Sequence, residues 1–532
     1  MKRIHLFSLS VFSGLLIAAA WPAHGFTPLI FIALVPLFFV QQWLVDNGKK
    51  GMFMYSALTF LVWNALTTWW IWNSTVSGAL VAILLNSLLM AFVFQVFHIS
   101  KKFLFGKRGG MWILIFYWIS WEYFHMNWDL SWPWLTFGNV FASKHLWIQW
   151  YELSGVLGGT FWVILVNILV FDLIRDFKTA TRTKTWIKAV LLILSIGLPI
   201  SFSLFQYHHY KESGKSAEVV VVQPNIDPYT EEYKLPPAEI IQRSLSLARQ
   251  AVTDSTDYVV FPESTIQGGI WEEEMRRSPS LKTLRDYIQE YPKLSMVIGA
   301  STFRWLKPNE KPGFAARLYK RGLYYYAFNT ALFIDNSPYL QVHHKSKLTP
   351  GVEKMPSWAI LRPLSRFAID LGGIVGTLKE DNHTTIFTNP KTDAKIAPII
   401  CYESVYGDFV AKTIRKGAQV IFVITNDGWW GNTPGYKQHF LFSVLRAIES
   451  RRDVAQSANT GTSAFINQRG DILQSTAFWK EAVIKQTLHL NKKITYYVAN
   501  GDSLARVSAF ISVLILMASV VQGLLKRKQS LF

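Results

Sequence analysis

The only cysteine of the chain, Cys401, closes the apolar run Ala397-Pro398-Ile399-Ile400 and opens Cys-Tyr-Glu-Ser. Its place is a strand end where a helix is predicted to begin, and a helix N-terminus lowers a thiol pKa and favours the nucleophilic thiolate. A carboxylate holds a matching position: Glu263 ends Val259-Val260-Phe261-Pro262-Glu263. A charged residue directly after an apolar strand lies at the sheet's carboxyl edge, where α/β sites form. The third piece is the polar loop His343-His344-Lys345-Ser346-Lys347-Leu348-Thr349-Pro350-Gly351-Val352-Glu353. Taken singly, these are also what a small buried hydrophobe, a solvated loop carboxylate and a solvated basic loop look like. Taken as a set, they offer a nucleophile, a base and a fixed positive charge. Adjacent histidines point in different directions on any regular element, and no nearby carboxylate or cysteine completes a ligand set, so no metal is expected at His343 and His344.

The elements that must position these groups are β-branched runs at 217–222, 258–261, 397–400 and 420–424, alternating with amphipathic helical stretches at 238–252 and 439–451. Strands alternating with helices predict an α/β domain, over 206–502, large enough to bury a substantial core.

Of the 532 residues, 50% are hydrophobic and only 17% charged, which excludes a disordered chain and argues against a purely soluble one. One cysteine excludes an intramolecular disulfide and a cysteine-rich metal site. The net charge of +19 suggests nucleic acid or an anionic membrane surface. The tryptophans decide for membrane: 16 of 22 lie before residue 190, and tryptophan favours the membrane–water interface. Apolar stretches of the length a bilayer needs predict seven spans, near 5–21, 27–45, 52–72, 78–99, 112–126, 159–174 and 185–205, and an eighth near 504–525. The first resembles a signal peptide, with Lys2 and Arg3 before an apolar run ending at Ala18-Ala19-Ala20, but the next span follows at once, so it is read as a span. With a cytoplasmic N-terminus, inside segments carry fifteen basic residues, among them Lys49, Lys50, Lys101 and Arg108, while the short outside loops carry only Lys144. The expected organisation is a membrane domain over 1–205 with an aromatic interfacial loop near 127–158, an outer domain over 206–502, and an eighth span with a basic cytoplasmic tail over 503–532.

Together and in this order, Phe261-Pro262-Glu263, Lys345-Ser346-Lys347-Leu348-Thr349-Pro350-Gly351-Val352-Glu353 and Ile400-Cys401-Tyr402-Glu403 resemble the nitrilase superfamily of carbon–nitrogen hydrolases. Val222-Gln223-Pro224-Asn225-Ile226, Asn329-Thr330-Ala331 and Thr425-Asn426-Asp427 before Trp429-Trp430-Gly431 add to the likeness. A soluble nitrilase has no spans. The membrane frame, with Trp132-Pro133-Trp134-Leu135 and Gly155-Val156-Leu157-Gly158-Gly159-Thr160-Phe161, resembles the apolipoprotein N-acyltransferases of Gram-negative bacteria.

The resemblance implies a multi-pass helical membrane domain of about eight spans joined to an α/β nitrilase-like αββα sandwich on the periplasmic side of the bacterial inner membrane. It implies a Glu263–Lys345–Cys401 triad. Cys401 is the nucleophile, Glu263 the general base and Lys345 the oxyanion stabiliser, with Lys345 preferred to Lys347 because the motif places its lysine two positions before x-Leu. Glu353 would hold Lys345, and Tyr402 and Glu403 would order the residues around the thiol. Trp429 and Trp430, between glycines and a proline, suit a gating loop with an apolar tip; the competing expectation is a pair of core tryptophans. The implied reaction passes an acyl chain from a phospholipid, such as phosphatidylethanolamine, through a thioester to the N-terminal amine of a diacylglyceryl apolipoprotein, with ping-pong kinetics. It needs no cofactor, no metal and no nucleic acid, and the chain would act as a monomer. The competing readings are a membrane-tethered amidase or nitrilase using water as acceptor, and a transporter or receptor with an outer binding domain. Transporters usually place ionisable residues inside spans, and here the span interiors are almost free of charge, with Glu122 the clear exception.

Overall fold

The computed structural model describes residues 3–107, 109–355 and 377–529. Lys2 and Arg108, two of the basic residues weighed above, lie outside the described residues. The chain forms two compact units: Met1–Trp72, Ala79–His209 and Asp502–Phe532 in one, Asn73–Gly78 and Tyr210–Gly501 in the other.

The first unit is helical: α1 (Arg3–Ala20), α2 (Val35–Asp46), α3 (Met52–Thr68), α4 (Val76–Phe105), α5 (Ile113–His125), α6 (Tyr151–Ser154), α7 (Val156–Asp176), α8 (Arg182–His209) and, after the second unit, the last helix Ser503–Gln529. Helical segments stand at all eight expected positions. Among the described residues six are long and apolar enough to cross a membrane: Arg3–Ala20, Thr27–Asp46, Val76–Phe105, Val156–Asp176, Arg182–His209 and Ser503–Lys526. The other two, α3 and α5, have 17 and 13 residues. At 1.5 Å per residue they run about 26 and 20 Å, short of a hydrocarbon core of about 30 Å. In α8 the side chains of Ile187, Leu191, Ile193 and Leu198 are exposed, an apolar surface that hydrocarbon accommodates and water does not.

The aromatic loop after α5 packs into this unit. The Phe137 ring stacks between Trp63 of α3 and Trp118 of α5, each 5.0 Å away. Glu122 of α5 secures it, accepting from the Phe137 N–H (2.8 Å), the Trp118 indole (3.0 Å) and the Thr160 hydroxyl of α7 (2.6 Å). The Glu122 carboxyl is thus occupied by structural donors, as a buried carboxyl must be.

The second unit contains β1 (Lys215–Gln223), α9 (Pro237–Ala248), β2 (Tyr258–Val260), β3 (Ile266–Trp271), α10 (Pro279–Gln289), β4 (Ser295–Trp305), β5 (Arg317–Lys320), β6 (Leu323–Ile334), β7 (Gln341–His344), β8 (Phe387–Thr388), β9 (Lys395–Ile400), α11 (Gly407–Arg415), β10 (Val420–Thr425), α12 (Pro434–Ser450), β11 (Val454–Ala458), β12 (Ala464–Ile466), β13 (Ile472–Ser475), β14 (Ala482–Leu490) and α13 (Tyr496–Asn500), so that the closing helix of the chain is α14. One sheet has the order β14-β1-β2-β4-β6-β5, with β3 beside β4 and β7 beside β6; the other runs β13-β12-β11-β10-β9-β8. Strands β1, β2 and β4 are mutually parallel, as are β9, β10 and β11.

Alternation along β1 assigns the two faces. Val219 and Val221 join Val260, Val297, Ile400, Phe422 and Ile424 in the core between the sheets. Val220 and Val222 turn outward to Ile241 and Leu245 of α9 and Leu281 and Leu284 of α10. Helices α11 and α12 pack on the second sheet. Burial on both faces is why these strands read as continuous β-branched runs, and the result is an αββα sandwich.

Candidate active site

The parallel strands set the site. Glu263 lies three residues beyond the end of β2, Lys345 directly follows β7, Cys401 directly follows β9, and Asn426 directly follows β10. Each group is therefore delivered by the carboxyl end of a strand anchored in the core, the edge where α/β sheets build their sites.

Two of these ends carry residues in the left-handed region: Cys401 has φ +47° and Ser264, next to Glu263, has φ +59°. For non-glycine residues this conformation is costly and is kept only where the surroundings hold it. At Cys401 the holding groups are visible. Its carbonyl accepts from the Ser404 hydroxyl (2.8 Å) and from His439 Nε2 (3.1 Å), while His439 Nδ1 meets Asp427 Oδ1 at 2.8 Å. Nε2 also lies 3.0 Å from the Ser404 hydroxyl, and a positive charge on the ring would let both nitrogens donate. Burial opposes that charge, and Asp427 outweighs it, raising the His439 pKa. The ligating atoms of Cys401, Asp427 and His439 lie within 4.8 Å of one another. At Glu263 the close approach depends on Gly299 of β4: a Cβ there would stand 2.6 Å from the Glu263 Cα and 2.7 Å from the Pro262 carbonyl.

Lys345, 1% exposed, extends its ammonium between two carboxylates, 3.0 Å from Glu263 Oε1 and 2.9 Å from Glu353 Oε1. Asn329 of β6 donates to the same two oxygens, at 2.7 and 2.9 Å. The second oxygen of Glu353 accepts from the Thr349 N–H at 2.9 Å, and that of Glu263 from the Asn426 N–H at 3.1 Å. Burial would deprotonate Lys345; the carboxylates of Glu263 and Glu353 outweigh it and hold the ammonium well above the ordinary lysine value. Lys347 is elsewhere, its ammonium 4.9 Å from the Tyr406 ring centroid.

Glu403 is fully buried and takes three donors: the Ile400 N–H (2.8 Å), the Ser346 N–H (2.6 Å) and His343 Nε2 (3.0 Å). It ties the end of β9 to the loop carrying Lys345. His344, pointing the other way along β7, meets Glu272 Oε1 at 2.6 Å and stacks on Phe328. Tyr402 is buried against Tyr406. Trp429 and Trp430 are half-buried. The Trp429 ring packs on Tyr229 and Tyr233, its carbonyl accepts from the hydroxyls of Tyr229 (2.8 Å) and Ser74 (2.9 Å), and the Trp430 ring lies against His439. Both rings rest on side chains of the second unit.

One expectation is corrected. The thiol is not biased toward thiolate by a helix N-terminus, because the turn that follows it, Cys401–Val405, is a single short 3-10 segment. Burial, then the charge of Glu263, push the Cys401 thiol well above its ordinary value, with Lys345 pulling the other way. At rest the thiol is therefore held in its neutral form.

Reading the sequence missed four participants. Asp427 and His439 appear there only inside a loop and a helix. Gly299 gives no sign of the turn pressed against it. Glu232 sits in a polar stretch, Tyr229-Thr230-Glu231-Glu232-Tyr233, that reads as solvated, yet it is 3% exposed and held by Asn426 Nδ2 (2.7 Å) and Gln267 Nε2 (3.1 Å). Its only clue is the pair of tyrosines around two adjacent carboxylates.

A sandwich with a thiol, a carboxylate and an ammonium delivered by its strand ends is the arrangement of a carbon–nitrogen hydrolase, and the model of that family, described as "Carbon-nitrogen hydrolase", matches residues 218–496. Residues 13–169 match the "Apolipoprotein N-acyltransferase N-terminal domain". The chain is 31% identical to the apolipoprotein N-acyltransferase of Chlorobaculum tepidum, covering 97% of this chain and 96% of that protein. It is 26% identical to the enzyme of that name from Geobacter metallireducens, over 98% and 96%. The crystal structure of Saccharomyces cerevisiae Nit3, of the nitrilase superfamily, aligns with 56% of this chain and 98% of its own at 17% identity, with a TM-score of 0.37. The chain belongs to the apolipoprotein N-acyltransferase family and is a membrane protein.

Proposed function

We propose that this chain transfers an acyl chain from a phospholipid, phosphatidylethanolamine foremost, through a thioester on Cys401 to the α-amine of the diacylglyceryl-cysteine that begins an apolipoprotein. The observation that carries this reading is Lys345 clasped by Glu263 and Glu353 beside a neutral thiol, in a chain whose relatives are acyltransferases of that name. Glu263 takes the thiol proton as sulfur attacks the ester carbonyl, and passes it to the departing alcohol. The Lys345 ammonium stabilises the oxyanion of each tetrahedral intermediate. Glu353 and Asn329 keep that ammonium and the base in register, and Glu403 does the same for the loop and the strand end. The amine then attacks the thioester, and the thiol is restored. A hydrolase of small amides gains nothing from membrane helices, whereas a phospholipid donor requires the thiol at the bilayer surface. Mass spectrometry of the protein mixed with phosphatidylethanolamine is expected to find one acyl mass on the peptide containing Cys401. Finding none, while free fatty acid is released, would favour an amidase-like site using water.

The same reading places the catalytic unit in the periplasm and both termini of this inner-membrane protein in the cytoplasm. Reporter fusions after Lys50 are expected to report cytoplasm and those after Gly214 periplasm. A cytoplasmic signal at Gly214 would put the thiol on the wrong side for lipoproteins.

Trp429 is assigned to the gate that keeps water from the thioester. Trp429→Ala removes ring contacts to Tyr229 and Tyr233, worth about 0.5–1.5 kcal/mol. Release of free fatty acid relative to amide is expected to rise by about tenfold, the equivalent of roughly 1.4 kcal/mol, in a protein that still folds. A variant with unchanged partition would remove Trp429 from the gate.

A further inference from the structure

Glu232 has no part in the chemistry derived so far, yet it stands inside that site. One residue, Asn426 at the end of β10, holds both carboxyls: its side-chain amide donates to Glu232 Oε2 at 2.7 Å and its backbone N–H to Glu263 Oε2 at 3.1 Å. The partners of Glu232 are two neutral amides, Asn426 and Gln267. The charged groups that act on it, Glu263 and Asp227, are both acidic, and its neighbour Tyr233 is a neutral phenol. The ammonium of Lys345 is already shared by Glu263 and Glu353. Glu232, linked to Glu263 through Asn426, therefore adds a third carboxyl to this site with two neutral amides as its hydrogen-bond partners among the described residues. A buried site with surplus acid groups must either hold a proton or bind a cation.

The proposed reaction brings such a cation. An N-terminal amine has a pKa of about 7.7–8.0 and arrives mostly as ammonium. In becoming an amide its nitrogen loses two protons. One restores the Cys401 thiol, and Glu263 can carry it. The other needs a second acceptor. Resting on the proposed function, we infer that Glu232 and Glu263 form the seat for the acceptor's ammonium, and that Glu232 takes the first of its two protons. Burial, then the charge of Glu263, raise the Glu232 carboxyl to about 8, matched to the amine, so the transfer is close to balanced. At neutral pH the empty seat is protonated. Ammonium binding expels that proton to water, and the Glu232 carboxylate then takes one from nitrogen. The nitrogen lone pair forms the C–N bond, Glu263 takes the remaining surplus N–H proton, the C–S bond breaks, and that proton goes to sulfur. The proton on Glu232 leaves to solvent after the amide product departs.

The test separates the two half-reactions in the full-length membrane protein, with phosphatidylethanolamine as donor and a synthetic diacylglyceryl-cysteine peptide as acceptor. Parent enzyme that forms no acyl-Cys401 would sink the proposed function itself. If the parent acylates, E232Q is expected to form acyl-Cys401 within about threefold of the parent rate, because the first half-reaction involves no amine. Its single-turnover transfer to the peptide should fall at least about tenfold at pH 7 and recover to within about threefold at pH 9.5, where the amine is already free. A deficit equal at both pH values, an equal loss in acylation, or no deficit at pH 7 would each overturn the assignment. A second measurement does not require that variant to fold. When Cys401→Ala protein binds the acceptor at pH 7, calorimetry in buffers of different ionisation enthalpy should show release of close to one proton, and heats independent of buffer would refute the seat.

Discussion

Cys401→Ser is expected to abolish the acyl-enzyme and lower turnover by on the order of a thousandfold or more, as removal of a nucleophile does. The substitution changes one atom and leaves the left-handed turn with its bonds from Ser404 and His439 to the residue 401 carbonyl, so the fold should survive. Its force lies in the base. Even the thiol is held neutral here, by burial and by the charge of Glu263, so Glu263, as the proposed base, would already extract a proton at a cost. A hydroxyl is far less acidic, and the His439 ring nitrogens are engaged with Asp427, the Cys401 carbonyl and the Ser404 hydroxyl. Intact-mass spectra after incubation with phospholipid, together with the thermal midpoint, check this. Near-parent turnover by Cys401→Ser would show that sulfur is not the nucleophile.

What could be read in advance follows from where each signal is written. The runs ending at Glu263 and Cys401 are buried on both faces, so their β-branched composition is local evidence, and the residue that ends each run is visible without knowing its neighbours. Lys345 is separable from Lys347 by its spacing to Leu348, while the placement of Lys345 between two carboxylates and of Lys347 on the Tyr406 ring is seen only in the fold. The remainder depends on distant contacts. Glu232 is buried because Asn426, 194 positions away, reaches it. Gly299 is constrained by the backbone of another strand's end. The neutral thiol was unreadable because burial and a carboxylate brought from β2 override the local turn. In the helical unit, α3 and α5 carry the expected composition but not the expected length. Chain departs into aromatic segments at their ends, and side-chain packing such as the Trp63–Phe137–Trp118 stack absorbs residues that hydropathy alone would leave in a span.

The second large effect is expected at Lys345. Lys345→Ala should cost about 2.7–4 kcal/mol of transition-state stabilisation, the range for loss of one oxyanion donor. It should also destabilise the fold, because Glu263 and Glu353 would face each other without their cation, and breaking a buried pair typically costs about 3–5 kcal/mol. Asn329, which donates to both carboxylates, relieves part of that repulsion. The two consequences separate by measurement: the thermal midpoint reports the lost pair, and the single-turnover rate of acylation on the folded fraction reports the lost donor. Lys347→Ala is the control. Its ammonium faces a tyrosine ring, a contact worth about 0.5–2 kcal/mol, and no oxyanion forms there, so acylation should change less than about tenfold. If Lys347→Ala slowed acylation more than Lys345→Ala, the oxyanion would have to form beside Tyr406, and the clasp of Glu263, Lys345 and Glu353 would be a structural ion pair with no charge left to lend the reaction.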